Sequence, residues 1–191
     1  MSVVELPTAP PMRSEVWDRF EVPEPYRAEI VLGELVVTPA ASVLHGRVQI
    51  RLGALLEPQL PANLRAASGV EWRFDERGIV AMAPQPDLVV IHHKVTRLTT
   101  PPALAVEILS PSDANRLERT SVSRIEGKRL DYADRGLLDY LEVDLSGSEP
   151  RLIRYELQDG DLMEVDRVSG REALVAERPF RYSLTPADLV R

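Results

Sequence analysis

The chain has 191 residues, of which 44% are hydrophobic and 28% charged, a composition typical of a globular protein. It contains no cysteine, which excludes a disulfide scaffold, a cysteine nucleophile and a thiolate metal site. Its formal net charge of −7 repels phosphate and argues against a general nucleic-acid coat or a membrane-surface binder, although a local basic patch is still allowed.

The 23 basic residues comprise 21 arginines and only two lysines, Lys94 and Lys128. With three histidines in the chain, an all-imidazole metal site is not expected, and any metal would be bound by oxygen. No apolar run approaches the roughly 18 residues of a membrane span, and residues 1–20 contain no apolar run of signal-peptide length. These features predict a cytoplasmic protein.

Five prolines among the first 25 residues predict an extended N-terminal arm over residues 1–25, with one short helical turn around Val16–Phe20. A single domain is predicted over residues 26–191. It begins with a β-hairpin, because apolar β-branched runs at 26–32 and 34–38 flank Gly33.

A helix follows at 43–57, where apolar residues recur at helical spacing and Ser42 can cap the first turn. Two further strands are predicted at 65–74 and 78–82. The segments 86–91 and 103–110 are nearly continuous apolar runs, as in strands that are covered on both faces, and we therefore place them at the centre of a sheet.

Residues 111–136 are polar with helical potential, and Ser123 and Glu126 have the spacing of a capping box. One face of this predicted helix carries Ile125, Lys128 and Tyr132. A strand at 137–145 and a hairpin that turns at Asp159-Gly160 come next, while the C-terminal tail gives no clear signal. This order predicts an α/β or α+β fold with a central mixed sheet flanked by helices.

Glu107 lies inside the apolar segment 103–110, where an ionised carboxylate is costly unless it is paired, hydrogen-bonded or bound to metal. Asp87 opens the other apolar segment, directly after Pro86. Neighbouring strands could bring the two carboxylates together as a hard-cation site. The alternatives are a turn or cap role for Asp87 and a buried ion pair with an arginine for Glu107.

Lys128 lies on the inward face of its predicted helix, where it could orient water or offset charge that develops on a phosphate. The alternative is an ordinary solvated helix lysine.

Three segments carry a family resemblance: P-D-L-V-V-I at 86–91, A-V-E-I-L-S-P-S from residue 105, and K-R-L-D-Y-A-D-R-G from residue 128. With the N-terminal hairpin and first helix, they resemble the Uma-type putative restriction endonuclease family, a branch of the PD-(D/E)XK nuclease superfamily, over about residues 24–145. Each motif is weak alone, but four in the right order are fairly specific.

The resemblance implies a restriction-endonuclease-like core in which adjacent strands present Asp87 and Glu107 to Mg²⁺ or Mn²⁺. The superfamily usually places a lysine two residues after the glutamate, but here that position is Leu109. The lysine is instead matched by Lys128, through the spacing of Lys128, Tyr132 and Gly136.

Three further residues have open roles. Glu29 matches a family glutamate and could be a third acidic ligand, could hold Lys128, or could be an outward hairpin residue. His45 could donate to a phosphate from the start of its helix or be incidental. Tyr132 is expected to pack rather than to catalyse.

The expected function is Mg²⁺-dependent hydrolysis of a phosphodiester, with DNA as the substrate, and the resemblance suggests a homodimer. The alternatives are a non-catalytic binding or assembly module on the same fold, and a hydrolase that acts on another phosphoester.

Overall fold

The computed structural model describes residues 11–109 and 122–191. The helices, in chain order, are α1 (Ser14–Trp17), α2 (Val43–Leu56), α3 (Arg124–Asp134) and α4 (Pro186–Leu189). The strands, in chain order, are β1 (Tyr26–Val31), β2 (Glu34–Pro39), β3 (Leu64–Ala67), β4 (Phe74–Glu76), β5 (Ile79–Met82), β6 (Leu88–His92), β7 (Leu104–Leu109), β8 (Asp139–Asp144), β9 (Arg151–Gln158), β10 (Asp161–Ser169), β11 (Leu174–Ala176) and β12 (Tyr182–Leu184).

A six-stranded mixed sheet in the order β10-β9-β8-β7-β6-β3 forms the centre of the fold. Strands β7 and β8 run parallel, and the other neighbouring pairs are antiparallel. The apolar runs predicted for the middle of the sheet become β6 and β7, and nearly all their residues are buried. The mixed α+β architecture is therefore confirmed.

The two faces of this sheet carry separate hydrophobic clusters, because successive side chains of a strand point to opposite faces. On one face, Val90 and Val106 pack with the buried side of α2 and with the C-terminal strands. On the other face, Val89 and Ala105 pack with Tyr132 of α3. The sheet is thus covered on both sides, as the apolar runs predicted.

Two smaller antiparallel hairpins, β1–β2 and β4–β5, pack against each other beside the sheet. A bridge between Ile30 and Ala83 joins them, and a cluster that includes Trp17, Ile30 and Val80 fills the space between. Strand β1 also contacts α3, which brings residues of the first hairpin close to the central sheet.

The N-terminal hairpin, the helix capped by Ser42, the capping box of Ser123 and Glu126, and the C-terminal hairpin are confirmed. The predicted strand 65–74 is wrong. It divides into β3 and β4, because Gly69 adopts a positive φ of 66° that a strand does not accommodate.

Other predictions shift or remain open. The helical turn predicted around residues 16–20 lies earlier, at Ser14–Trp17. Residue 110 and the predicted helical stretch 111–121 lie outside the described residues. The division into an arm and a domain stays a prediction. The tail, which gave no clear signal, contributes β11, β12 and α4. None of the helices in the described ranges is both long enough and apolar enough to cross a membrane.

Candidate active site

The carboxylates of Asp87 and Glu107 are brought together by the pairing of β6 with β7. Leu88 faces Val106 in this antiparallel ladder, so Asp87, one residue before β6, comes beside Glu107. The backbone amide of Ile108 donates a 2.7 Å hydrogen bond to Asp87 Oδ2. Both acidic residues are only 2% exposed. The sheet register alone therefore creates a buried pair of acidic side chains.

Lys128 reaches this pair from α3. The Ser123–Glu126 capping box fixes the start of the helix, and the helical repeat then points Lys128 inward, where it is fully buried. Its Nζ donates to Glu107 Oε1 at 2.9 Å and to Oε2 at 3.0 Å. The alternative of a solvated helix lysine is wrong.

Glu29 of β1 is the second carboxylate bound to this lysine. Its Oε1 lies 2.8 Å from Lys128 Nζ and accepts a 2.7 Å hydrogen bond from the amide of Gln85. Its Oε2 accepts from Arg124 Nη1 at 2.8 Å. Glu29 is fully buried, so the alternative of an outward hairpin residue is wrong, whereas the salt bridge with Lys128 is present.

His45, in the first turn of α2, contacts Asp87. Its Nε2 lies 2.9 Å from Asp87 Oδ1 within a buried environment. From the next turn of the same helix, Gln49 donates to the backbone carbonyl of Asp87. Arg27 of β1 lies 3.6 Å from Asp87 Oδ1, beyond hydrogen-bond distance. Together with the Ile108 amide of β7, these contacts surround Asp87 from α2, β1 and β7. Asp87 is therefore more than a turn or cap residue, and the position of His45 is not incidental.

Tyr132 both packs and forms a hydrogen bond. Its ring stacks on Trp72 at a centroid distance of 5.2 Å and meets Tyr140 edge-on at 5.6 Å, which agrees with the predicted packing role. Its hydroxyl also donates a 2.6 Å hydrogen bond to Glu107 Oε1. Tyr132 and Lys128, one turn apart on α3, thus fix the orientation of the same carboxylate.

Burial and neighbouring groups shift the pKa values of Glu107 and Asp87 in opposite directions. Burial raises the pKa of Glu107 to about 7, and the nearby Asp87 and Glu29 add to this effect against the opposing pull of Lys128. Burial also disfavours ionised Asp87, but the His45 hydrogen bond and Lys128 outweigh it and hold the pKa below its usual value.

Lys128 and Glu29 behave as a stable ion pair. Burial would lower the pKa of Lys128, yet Glu107 and Glu29 outweigh it and raise the pKa. Lys128 Nζ and Arg124 likewise overcome the effect of burial at Glu29 and lower the pKa of that carboxyl. Lys128 therefore remains protonated and acts as a charge and hydrogen-bond donor.

Sequence reasoning missed Arg27, Gln49 and Arg124, although periodicity offered a signal for each. Arg27 precedes Glu29 by two residues and shares its face of β1. Gln49 follows His45 by four residues, and Arg124 precedes Lys128 by four, which places each pair on one helix face. Glu29, His45 and Lys128 were already candidates, but spacing alone does not show which neighbour on the same face reaches the site.

The donor set at this site suits a divalent cation. Asp87 and Glu107 offer oxygen ligands side by side, and their mutual repulsion favours a bound positive charge. Within residues 11–109 and 122–191, no group of three or more histidine, cysteine or acidic side chains is arranged to hold a metal. Mg²⁺ is commonly bound by one or two carboxylates together with substrate phosphates, so two ligands are compatible with it.

The fold and the site together define a mixed α+β protein with a buried acidic pair on adjacent strands and a lysine from a flanking helix. Comparison with family models matches residues 15–188 to Uma2, described as a putative restriction endonuclease. The chain belongs to this family. Its membership supports a nuclease function.

Among solved structures, the chain is similar to the crystal structure of a putative nuclease belonging to DUF820 from Anabaena variabilis. The two share 18% identity over 94% of this chain and 98% of that chain, with a TM-score of 0.71. At this identity the similarity shows a common fold. A comparison with curated proteins found no match.

Proposed function

We propose that this chain is a Mg²⁺-dependent endonuclease that hydrolyses phosphodiester bonds in DNA. The observation that carries the proposal is the juxtaposition of Asp87 and Glu107, with Lys128 Nζ 2.9 Å from the second of them. Family membership supports it. The proposal includes a cytoplasmic location and a homodimer that presents one site to each DNA strand.

Asp87 and Glu107 would hold Mg²⁺, or Mn²⁺ in its place. A divalent cation bound there would lower the pKa of a water molecule and polarise the scissile phosphate. Lys128 remains charged, so its ammonium group can stabilise the negative charge that develops on the phosphate. The backbone carbonyl of Ile108 is a further candidate ligand.

The neighbouring side chains hold these groups in position. His45 orients Asp87, and the Tyr132 hydroxyl orients Glu107. Glu29 bonds to Lys128 and keeps its ammonium at the acidic pair. Because these contacts are buried, they limit the conformations available to the reacting groups before any substrate arrives.

A plasmid-nicking assay in Mg²⁺ tests this assignment with the variants Asp87→Asn and Glu107→Gln. Both substitutions retain a hydrogen-bond acceptor but remove the charge that binds a cation. We expect each to reduce cleavage by about a thousandfold or more, an effect of roughly 4 kcal/mol on the barrier, while thermal unfolding shows a folded protein. Undiminished cleavage by either purified variant would refute the assignment.

Glu142→Gln is the matched control. Glu142 faces Glu107 in the parallel register of β7 and β8 and is 3% exposed, so the two are similarly buried on neighbouring strands. Its carboxylate is engaged elsewhere, by the Tyr155 hydroxyl at 2.9 Å. The variant should therefore retain cleavage activity. A loss of cleavage in Glu142→Gln would mean that any buried charge on this sheet face is required.

The competing function is a non-catalytic binding or assembly module. It is favoured by the absence of a three-ligand metal group in the described part of the chain, and by the bonding of both Glu107 oxygens to Lys128. Calorimetric titration with Mn²⁺ separates the two. Binding that disappears in Asp87→Asn and Glu107→Gln supports the nuclease, whereas no carboxylate-dependent binding supports the module.

A further inference from the structure

The basic side chains of the candidate site differ in their access to solvent. The side chains of Lys128, Arg124 and His45 are 0%, 5% and 10% exposed. The Arg27 side chain is 28% exposed. An incoming polyanion therefore meets Arg27 before it reaches the buried basic side chains.

Arg27 also retains unused hydrogen-bond donors. Its Nε donates to Thr38 Oγ1 at 3.4 Å, whereas neither Nη group forms a hydrogen bond with any residue in the described ranges. By comparison, the ammonium of Lys128 already donates to the carboxylate of Glu107 and pairs with Glu29. A guanidinium group with both terminal nitrogens available can bind two oxygens of one phosphate.

The backbone positions this guanidinium group beside Asp87. Arg27 and Glu29 share one face of β1, and Glu29 is fixed to Lys128 at the inner end of that face. At the outer end, Arg27 Nη1 is 3.6 Å from Asp87 Oδ1, so the two charges attract without forming a hydrogen bond. This attraction holds Arg27 beside a candidate metal ligand and leaves its terminal donors available.

We propose that Arg27 is a substrate-binding residue that contacts a phosphate of the nucleic acid next to the Asp87–Glu107 pair. The inference rests on the proposed function and extends it by assigning the entry side of the site to β1. Removal of Arg27 would leave Asp87 without its most exposed counter-charge and the approaching phosphate without a bidentate partner.

Fluorescence anisotropy with a short labelled DNA duplex in EDTA measures this contact without cleavage. For Arg27→Gln we expect binding to weaken by about tenfold to a hundredfold, as for a lost charge-assisted hydrogen bond. The slope of log affinity against log salt should fall by about 0.9, the value for one phosphate contact. Arg27→Lys should keep the salt slope but recover only part of the affinity, because lysine lacks the planar guanidinium that can donate to two phosphate oxygens at once.

Arg181→Gln is the control for net charge. Arg181 is highly exposed and pairs with Glu177 at 3.5 Å, so its removal changes the overall charge equally. It should bind DNA like the wild type. Urea unfolding of Arg27→Gln should show that the protein is folded, which restricts the effect to the binding surface.

Equal affinity and equal salt slope for Arg27→Gln and the wild type would overturn the inference. Because binding is read in EDTA, the result does not depend on catalysis. A wild type that binds through Arg27 but never cleaves DNA supports this contact and refutes the proposed nuclease. A wild type that cleaves DNA with an affinity independent of Arg27 refutes only this contact.

Discussion

The amide of Ile108 donates a 2.7 Å hydrogen bond to the carboxylate of Asp87. A backbone donor on β7 thus fixes the acidic side chain that precedes β6, and the residue that supplies it directly follows Glu107. The backbone of β7 therefore helps to position the Asp87 carboxylate, in addition to the side-chain contact from His45. An asparagine at position 87 could still accept from the same amide, which makes it a conservative test of charge.

Replacing His45 with alanine should weaken metal binding without unfolding the protein. His45 Nε2 lies 2.9 Å from Asp87 Oδ1, and its loss would free the carboxylate to rotate. We expect the affinity for Mn²⁺ in calorimetry to fall by about tenfold to a hundredfold, as for other residues that orient metal ligands. His92→Ala provides the control, since His92 is exposed at the end of β6 and contacts the ring of His93. Equal Mn²⁺ affinities for the two variants would contradict the orienting role.

Glu29→Gln should strongly destabilise the fold. The substitution leaves the fully buried Lys128 with one carboxylate instead of two, and breaking a buried ion pair typically costs about 3–5 kcal/mol. Urea unfolding measures this free energy. Glu164→Gln is the comparison, because its ion pair with Arg167 is exposed and should contribute less than about 1 kcal/mol. In a double variant that also carries Lys128→Met, the loss in free energy of unfolding should be smaller than the sum of the losses in the two single variants. Similar losses for Glu29→Gln and Glu164→Gln would argue against a structural role of the buried pair.

Asp131→Asn should stabilise the protein at neutral pH. Burial raises the pKa of Asp131 from 3.8 to about 6, although the Leu32 amide donates a 2.7 Å hydrogen bond to its carboxylate. The folded protein therefore binds this proton more tightly than the unfolded chain does. The contribution of Asp131 to stability falls as the pH rises from 3.8 to about 6 and stays low above that range. Asparagine keeps the acceptor and removes the ionisation.

Urea unfolding as a function of pH tests this linkage. The variant and the wild type should be similar near about pH 4, and the variant should gain roughly 1–3 kcal/mol by about pH 8. The difference should grow mainly between these limits and then level off. Parallel stability curves across the whole range would show that Asp131 does not titrate with a raised pKa.

The central strands and the lysine-bearing helix could be predicted from sequence because their signals are local. Continuous apolar runs indicate strands covered on both faces. The capping-box spacing of Ser123 and Glu126 indicates a helix that begins directly after Ser123. The position of Asp87 at the opening of one run and Glu107 within the next made their proximity a reasonable expectation.

The contacts between distant segments could not be predicted. Glu29 and Lys128 are separated by about a hundred residues, and they meet only because β1 packs on α3. The local pattern of β1 does not indicate which helix covers it. The predicted strand 65–74 failed for a different reason: composition there favours a strand, but the positive φ of Gly69 is a property of the folded backbone.

The edges of the central sheet restrict how two copies of this chain can associate. Strand β10 is nine residues long and mostly exposed. The unpaired backbone groups of such an edge strand can form hydrogen bonds with a strand of another chain. Its pairing with β9 shifts between Glu164 and Asp166, and charged side chains line the irregularity. The opposite edge, β3, has only four residues. Edge-to-edge growth into longer sheets, the route by which β-rich proteins aggregate, is therefore disfavoured at both ends. Since both faces of the sheet are covered, a homodimer would join more readily through helices or loops.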